Sequence, residues 1–313
     1  MKRKDFLKFG TLGLASLTPG AGLFNPEKQM KINQNLSSNG SLKKGYMLET
    51  FPSGENYSIL EKFKMLKTAG FHGVEPPSGL DRAEVLEAKA ETGLDIPSVV
   101  VSTHWSSPLT SPDESVRKIG LKGLETALYD ADEFDASTIL LVPGIVNNEV
   151  SYKDVYSRSQ EQIRKILPLA EELEIVIAIE NVWNHFLMSP LEATTYVDEF
   201  DSPWLGWYFD IGNIINYGWP SHWIEILADR IAMIHIKEFS RQKRDDEGLW
   251  SGFRVNYLEG DNDWPKIMQA LREVGYSGYG IAEPAYRPEN ISPEVFLSEY
   301  VSQRMDEIFH HFQ

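Results

Sequence analysis

Cysteine is absent from the 313 residues, which excludes disulfides, thiolate nucleophiles and cysteine-ligated zinc. Any metal must sit on histidine and carboxylate. Positive charge is scarce as well: 30 Lys and Arg face 46 Asp and Glu, a formal net charge of −16, and beyond the N-terminal segment the one short cationic run is RQKR at Arg241 to Arg244. A body this acidic repels phosphate backbones, so no nucleic-acid partner is expected. Beyond the N-terminal segment no run of 18 apolar residues occurs, so stable membrane insertion is not expected either. What is present is ordinary for a globular enzyme, 42% hydrophobic and 12% aromatic residues, enough for a sizeable core.

Residues 1–27 read as an export signal. A cationic start, MKRKDFLK, precedes the apolar, small-residue stretch FGTLGLASLTPGAGLF. The segment resembles a twin-arginine signal with Arg3-Lys4 in place of the arginine pair, which implies a periplasmic destination. A buried helix over residues 9–24 is the alternative. Residues 28–42 are polar and aperiodic, as a flexible linker is. Residues 43–313 form one catalytic domain, more acidic still, because the first 42 residues hold six Lys or Arg against two Asp or Glu.

From Gly45 onward short apolar runs alternate with amphipathic ones, the pattern of βα units and a parallel sheet. The strand candidates start at Gly45 (GYMLET), His72 (HGVEP), Ile96 (IPSVVV), Thr138 (TILLVPG), Ile175 (IVIAIEN), Leu205 (LGWYFDIG), Ile231 (IAMIHIKE) and Tyr279 (YGIAEP). Between them, segments such as Ser58 to Gly70, Asp81 to Gly93 and Ser159 to Leu173 repeat apolar residues every three or four positions. Eight such units predict a single (β/α)8 barrel. An open doubly wound sheet also alternates, but strand ends at its opposite edges do not meet. Here Glu49, Glu75, Glu180, Asp210, His235 and Glu283 gather at or near the carboxyl ends, which converge only at a barrel mouth. The stretch from Phe239 to Asn262 is longer than a connection requires and is predicted to fold over that mouth.

Glu180, Asp210, His235 and Glu283 lie at the ends of strands five to eight. Oxygen and imidazole ligands converging from separate elements suit one divalent cation: Mn2+, Mg2+, Co2+ or Zn2+. Alone, His235 reads as a core histidine; the set of four carries the metal reading.

In order, IENVW, FDIGN, HIKEF and AEP resemble the metal motifs of the xylose-isomerase-like sugar phosphate isomerase/epimerase superfamily, over roughly residues 44 to 310. Ketose 3-epimerases and pentulose-phosphate 3-epimerases are the nearest functional models. The resemblance implies that Glu180, Asp210, His235 and Glu283 ligate the metal and that Glu180 and Glu283 transfer protons through a cis-enediolate of a small sugar. Moving a proton beside a carbonyl needs a base and a returning acid. Where ketose epimerases carry a histidine three residues after the strand-six aspartate, this chain has Asn213.

Substrate-binding candidates are Glu75, which in the family often faces the substrate, and His104 with Trp105 after strand three, a donor and a stacking surface. Asn181 is placed to orient Glu180 or a sugar hydroxyl, and Asn213 to hydrogen-bond a sugar hydroxyl. Lys237 points the same way as His235, and Arg241 resembles a family substrate residue. Asp261 or Asp263 is expected to cap the following helix. Of Trp204, Trp207, Trp219 and Trp223, at least two are expected in the core.

Two alternatives share the barrel, the first of them with the same metal set. One is hydrolysis or lysis of 3-keto-glycosides, favoured by export and by the lack of a Gly-rich phosphate cradle after strands seven and eight. The other is an apurinic-endonuclease-like nuclease, which needs extra histidines and a basic groove. A non-catalytic sugar-binding protein would need neither Glu180 nor Glu283 as a base. A homo-oligomer is compatible with the chain.

Overall fold

The structure, a computed structural model, describes residues 42–52 and 57–312. The export segment and all of the linker but Leu42 lie outside the described residues. Eight parallel strands alternate with helices: β1 Lys43–Met47, β2 Gly73–Glu75, β3 Ser98–Val100, β4 Thr138–Leu141, β5 Val176–Glu180, β6 Leu205–Asp210, β7 Ile231–Ile236 and β8 Tyr279–Ala282. Their order is β2-β1-β8-β7-β6-β5-β4-β3. The remaining seam closes where Val74 donates to Asp95 O at 2.9 Å and Ser78 donates to Val100 O at 2.8 Å. The result is a (β/α)8 barrel.

The outer helices are α1 Ile59–Thr68, α2 Arg82–Thr92, α3 Glu114–Glu133, α4 Tyr152–Leu173, α5 Pro190–Asp198, α6 Pro220–Leu227, α7 Trp264–Glu273 and α8 Gln303–His310. Their starts follow capping chemistry. Ser58 and Glu61 form a reciprocal capping box, Asp81 accepts from Glu84 N, and Asp263 accepts from Lys266 N. Gly93 ends α2 at φ 62°, in the left-handed region where a Cβ is penalised. Helix α4 begins at Tyr152, earlier than its apolar period from Ser159 suggests, because Ser151 caps it through Asp154 N.

Apolar packing has two layers. The larger lies between sheet and helices and takes in Trp204, Trp207 and Trp223, while Trp219 is exposed. The smaller fills the barrel interior with Val100, Leu140, Ala178, Tyr208, Met233, Tyr279 and Ile281. This inner plug is the floor of the site.

Candidate metal centre

Side chains two residues apart on a strand point the same way, one layer further along. Two places beyond the interior residues Ala178, Tyr208, Met233 and Ile281 stand Glu180, Asp210, His235 and Glu283. One ligand-type atom from each of these four lies within 4.8 Å of the others. The polar ring is thus the next layer of the barrel above an apolar one.

Neighbours fix each member. Asn181 grips the backbone of Asp210 from both sides: its Nδ2 donates to Asp210 O at 2.7 Å, and its Oδ1 accepts from Asp210 N at 3.0 Å and from Trp207 Nε1 at 3.0 Å. Asp210 Oδ1 accepts from Asn213 N at 2.7 Å, capping the turn Ile211–Ile215. Asn213 Nδ2 donates back to Asn181 O at 3.0 Å. Both asparagines are buried, and their amide nitrogens are spent on backbone carbonyls, those of Asp210 and Asn181. This corrects the sequence-based placing of Asn181 on the substrate, and leaves Asn213 only its Oδ1.

Glu75 also moves. Its side chain is fully buried, with Oε1 accepting from Tyr208 OH at 2.6 Å and Oε2 2.9 Å from His235 Nε2. It stands behind the histidine and cannot face a sugar. His235 turns Nδ1 toward Glu283 Oε2 at 2.9 Å, Glu180 Oε1 at 3.2 Å and Asp210 Oδ2 at 4.0 Å. Asp210 Oδ2 and Glu283 Oε2 are buried without a hydrogen-bond partner, each with only a positive group nearby: Lys237 Nζ 3.3 Å from the first and His235 Nδ1 2.9 Å from the second. Two orphaned carboxylate oxygens and a ring nitrogen facing one point fit a hard divalent cation.

Lys237 reaches the same ring, 2.6 Å from Glu283 Oε1 and 3.3 Å from Asp210 Oδ2, with its ammonium over the Phe253 ring. Burial pushes the Glu180 carboxyl up; it does the same to Asp210, against the pull of Lys237. Glu283 goes the other way: burial raises it, but Lys237 and His235 together hold it well below the usual carboxylate range. Burial lowers His235, and the charges of Glu75 and Glu283 more than reverse that.

After β3, His104 is buried and its Nδ1 accepts from Val142 N at 3.3 Å. The ring proton therefore sits on Nε2, and burial drives the imidazole down to about 4. Trp105 is exposed beside it. Arg241 lies away from the ring, donating to Ile215 O and Gly218 O at 2.9 Å each. It ties the long connection after β7 to the one after β6, with its guanidinium over the Trp219 ring.

That connection does fold onto the mouth. Helix Arg241–Glu247 and the turn Leu249–Phe253 bring Phe253 against Lys237 and Trp183. Its anchor is Glu238, which the sequence reading passed over. The buried carboxylate accepts from Trp264 Nε1, Leu258 N, Phe239 N and both nitrogens of Asn262. Burial still pushes it up to about 7. Tyr208 was passed over too; its signal was its place two residues before Asp210 on an inward-facing strand.

The sequence profile described as xylose isomerase-like TIM barrel matches residues 63–299. The L-ribulose-5-phosphate 3-epimerase UlaE of Salmonella typhimurium is 26% identical over 279 residues, covering 83% of this chain and 94% of that protein. The UlaE of Escherichia coli O1:K1 is 27% identical over 250 residues, covering 75% and 84%. Among solved structures, D-psicose 3-epimerase in the presence of D-fructose superposes with TM-score 0.73 at 17% identity, covering 87% of this chain and 99% of that one. The 3-keto-D-glucoside 4-epimerase YcjR of E. coli gives TM-score 0.70 at 20% identity, covering 85% and 99%.

Proposed function

The chain belongs to the xylose isomerase-like TIM barrel family, and from that premise we propose that it is a divalent-metal-dependent epimerase or isomerase of a ketose or related sugar. Glu180, Asp210, His235 and Glu283 hold the ion, and Glu180 and Glu283 move the protons. The observation that carries this is the convergence of these four groups, with two buried carboxylate oxygens lacking partners, at the carboxyl ends of β5 to β8. The UlaE relatives, whose names give epimerisation of a ketose phosphate, support it.

When bound, a divalent cation supplies the Lewis acid that draws charge onto the sugar oxygens. Glu180 and Glu283 enter from β5 and from just beyond β8, with β6 and β7 between them. A sugar lying across the ring meets one carboxylate at each end, so one takes the proton beside the carbonyl and the other delivers one to the opposite face. Lys237 carries positive charge to the Glu283 side, and His104 offers an Nε2–H to a sugar oxygen. Three carboxylates and one imidazole make Mn2+ our first choice of ion.

The test is metal content of the purified protein together with exchange of substrate carbon-bound hydrogen for solvent deuterium over a panel of free ketoses and keto-sugars. Absence of exchange with every metal and every sugar overturns the proposal. We extend it to location: residues 1–27 act as an export signal to the periplasm, which fractionation of cells with and without that segment decides.

A further inference from the structure

At the mouth, between the ends of β1 and β2 and the start of α1, lies a cavity of about 270 Å³ that the metal centre does not use. Glu49, Phe51, Tyr57, Lys62, Pro77 and Leu80 line it. Strand β1 pairs with β8 on one side and β2 on the other, Tyr46 level with Ala282 and Met47 level with Glu75. The turn Leu48–Thr50 that follows therefore stands beside Glu283. Partial burial pushes the Glu49 carboxyl up, and the charges of Glu75 and Glu283, within electrostatic reach of it, add to that. The cavity thus lies on the β1 side of the ion-binding ring, with Glu49 in its lining near Glu283.

The walls are preformed. Phe51 meets Tyr46 and Tyr57 edge-on at 6.4 and 6.0 Å. Its N–H donates to Leu48 O at 3.1 Å, and Thr50 Oγ1 donates to Met47 O at 2.9 Å. The lining is apolar and aromatic except at two points: Lys62, above the Phe51 ring, and Glu49, which among the described residues has no hydrogen-bond partner. A phosphate needs several converging donors, whereas this cavity offers one ammonium and an opposing carboxylate. A pyranose ring suits it better, because such a ring pairs an apolar face for aromatic side chains with hydroxyls for a carboxylate and an ammonium. The volume falls below the ~300–1,000 Å³ of a complete ligand pocket and suits one added ring.

We propose that this cavity is a subsite for a second, uncharged ring joined to the reacting sugar by a glycosidic bond, so that the substrate is a keto-sugar glycoside rather than a free or phosphorylated ketose. The inference rests on the metal-centre reading of the preceding section only for the position of the reacting ring.

Binding to the Mn2+-loaded protein, measured by calorimetry, tests it with three probes: a 3-keto-hexose, the same sugar glycosidically linked to glucose, and a ketose phosphate. The two-ring probe is expected to bind at least about tenfold tighter than either other probe, a difference of about 1.4 kcal/mol. Leu80→Trp, which fills the cavity, and Tyr57→Ala, which removes a wall, each bring that ratio close to one. Circular dichroism checks folding, and if the tryptophan variant does not fold, Tyr57→Ala carries the test. Equal affinities in the wild-type protein, tighter binding of the phosphate, or a ratio that neither variant moves overturns the subsite. A two-ring preference without deuterium exchange upholds the subsite and removes the epimerase reading. Exchange in free ketoses with no two-ring preference does the reverse.

Discussion

Glu75 Oε2 lies 2.9 Å from His235 Nε2, and both side chains are completely buried. A carboxylate receiving Nε2–H holds the imidazole so that Nδ1 faces the ring of carboxylates and would present its lone pair to a bound ion, the arrangement by which outer partners orient metal-binding histidines. Tyr208, reaching across the barrel from β6, holds the other oxygen of Glu75 at 2.6 Å. Glu75→Gln is expected to weaken Mn2+ binding by about 10–100-fold, and Tyr208→Phe by less. Competition with a chelator reads this directly, and an unchanged metal affinity in Glu75→Gln contradicts the role.

Neutralising either proton-transfer group should stop the reaction with little change in shape. Glu180→Gln and Glu283→Gln are each expected to slow deuterium exchange by about 10²–10⁴-fold or more. Exchange near the wild-type rate in Glu283→Gln at saturating metal removes that residue from the base role.

His104 supplies a pH dependence of stability. Its folded value of about 4 lies below the ordinary value of 6.5, because burial disfavours the imidazolium. The unfolded chain takes up this proton first, so stability present above pH 6.5 is lost as pH falls from 6.5 toward 4. The full loss is on the order of 3 kcal/mol. His104→Asn keeps an acceptor for Val142 N and should flatten this part of the profile; urea unfolding of both proteins between the two limits checks it. Identical profiles rule out the assignment.

Asn181 bonds three buried groups on β6. Asn181→Leu has nearly the same size but leaves the N–H and C=O of Asp210 and the Trp207 indole without partners, at about 1–3 kcal/mol each. A loss of several kcal/mol in chemical unfolding is expected. A loss below about 1 kcal/mol means that water replaces the amide.

The long connection after β7 depends on Glu238. A Cβ at Gly260 would lie 2.4 Å from Glu238 Oε1 and 2.6 Å from Phe239 O, so Gly260→Ala cannot be accommodated without moving one of them. Gly260→Ala is expected to open residues 239–262 to limited proteolysis while the barrel helices stay protected. Uniform resistance in both proteins argues against Glu238 as the anchor.

Much of this protein follows from period and order along the chain. Eight apolar runs separated by amphipathic ones dictate a parallel βα barrel. Because side chains alternate on a strand, Glu180, Asp210, His235 and Glu283 must share a layer just beyond the apolar plug. The sequence alone therefore determined the fold class and the four groups that converge. Partner choice it could not determine, since that depends on which side chains face each other across the barrel, far apart in the chain. Glu75 ends its strand as Glu180 does, yet Tyr208, 133 residues later, and His235, 160 residues later, claim both of its oxygens. Arg241, read as a substrate residue, is taken by carbonyls of the neighbouring connection. Only closure of the barrel decided which carboxylates face the mouth and which brace it, because buried polar groups take whatever partners packing brings within reach.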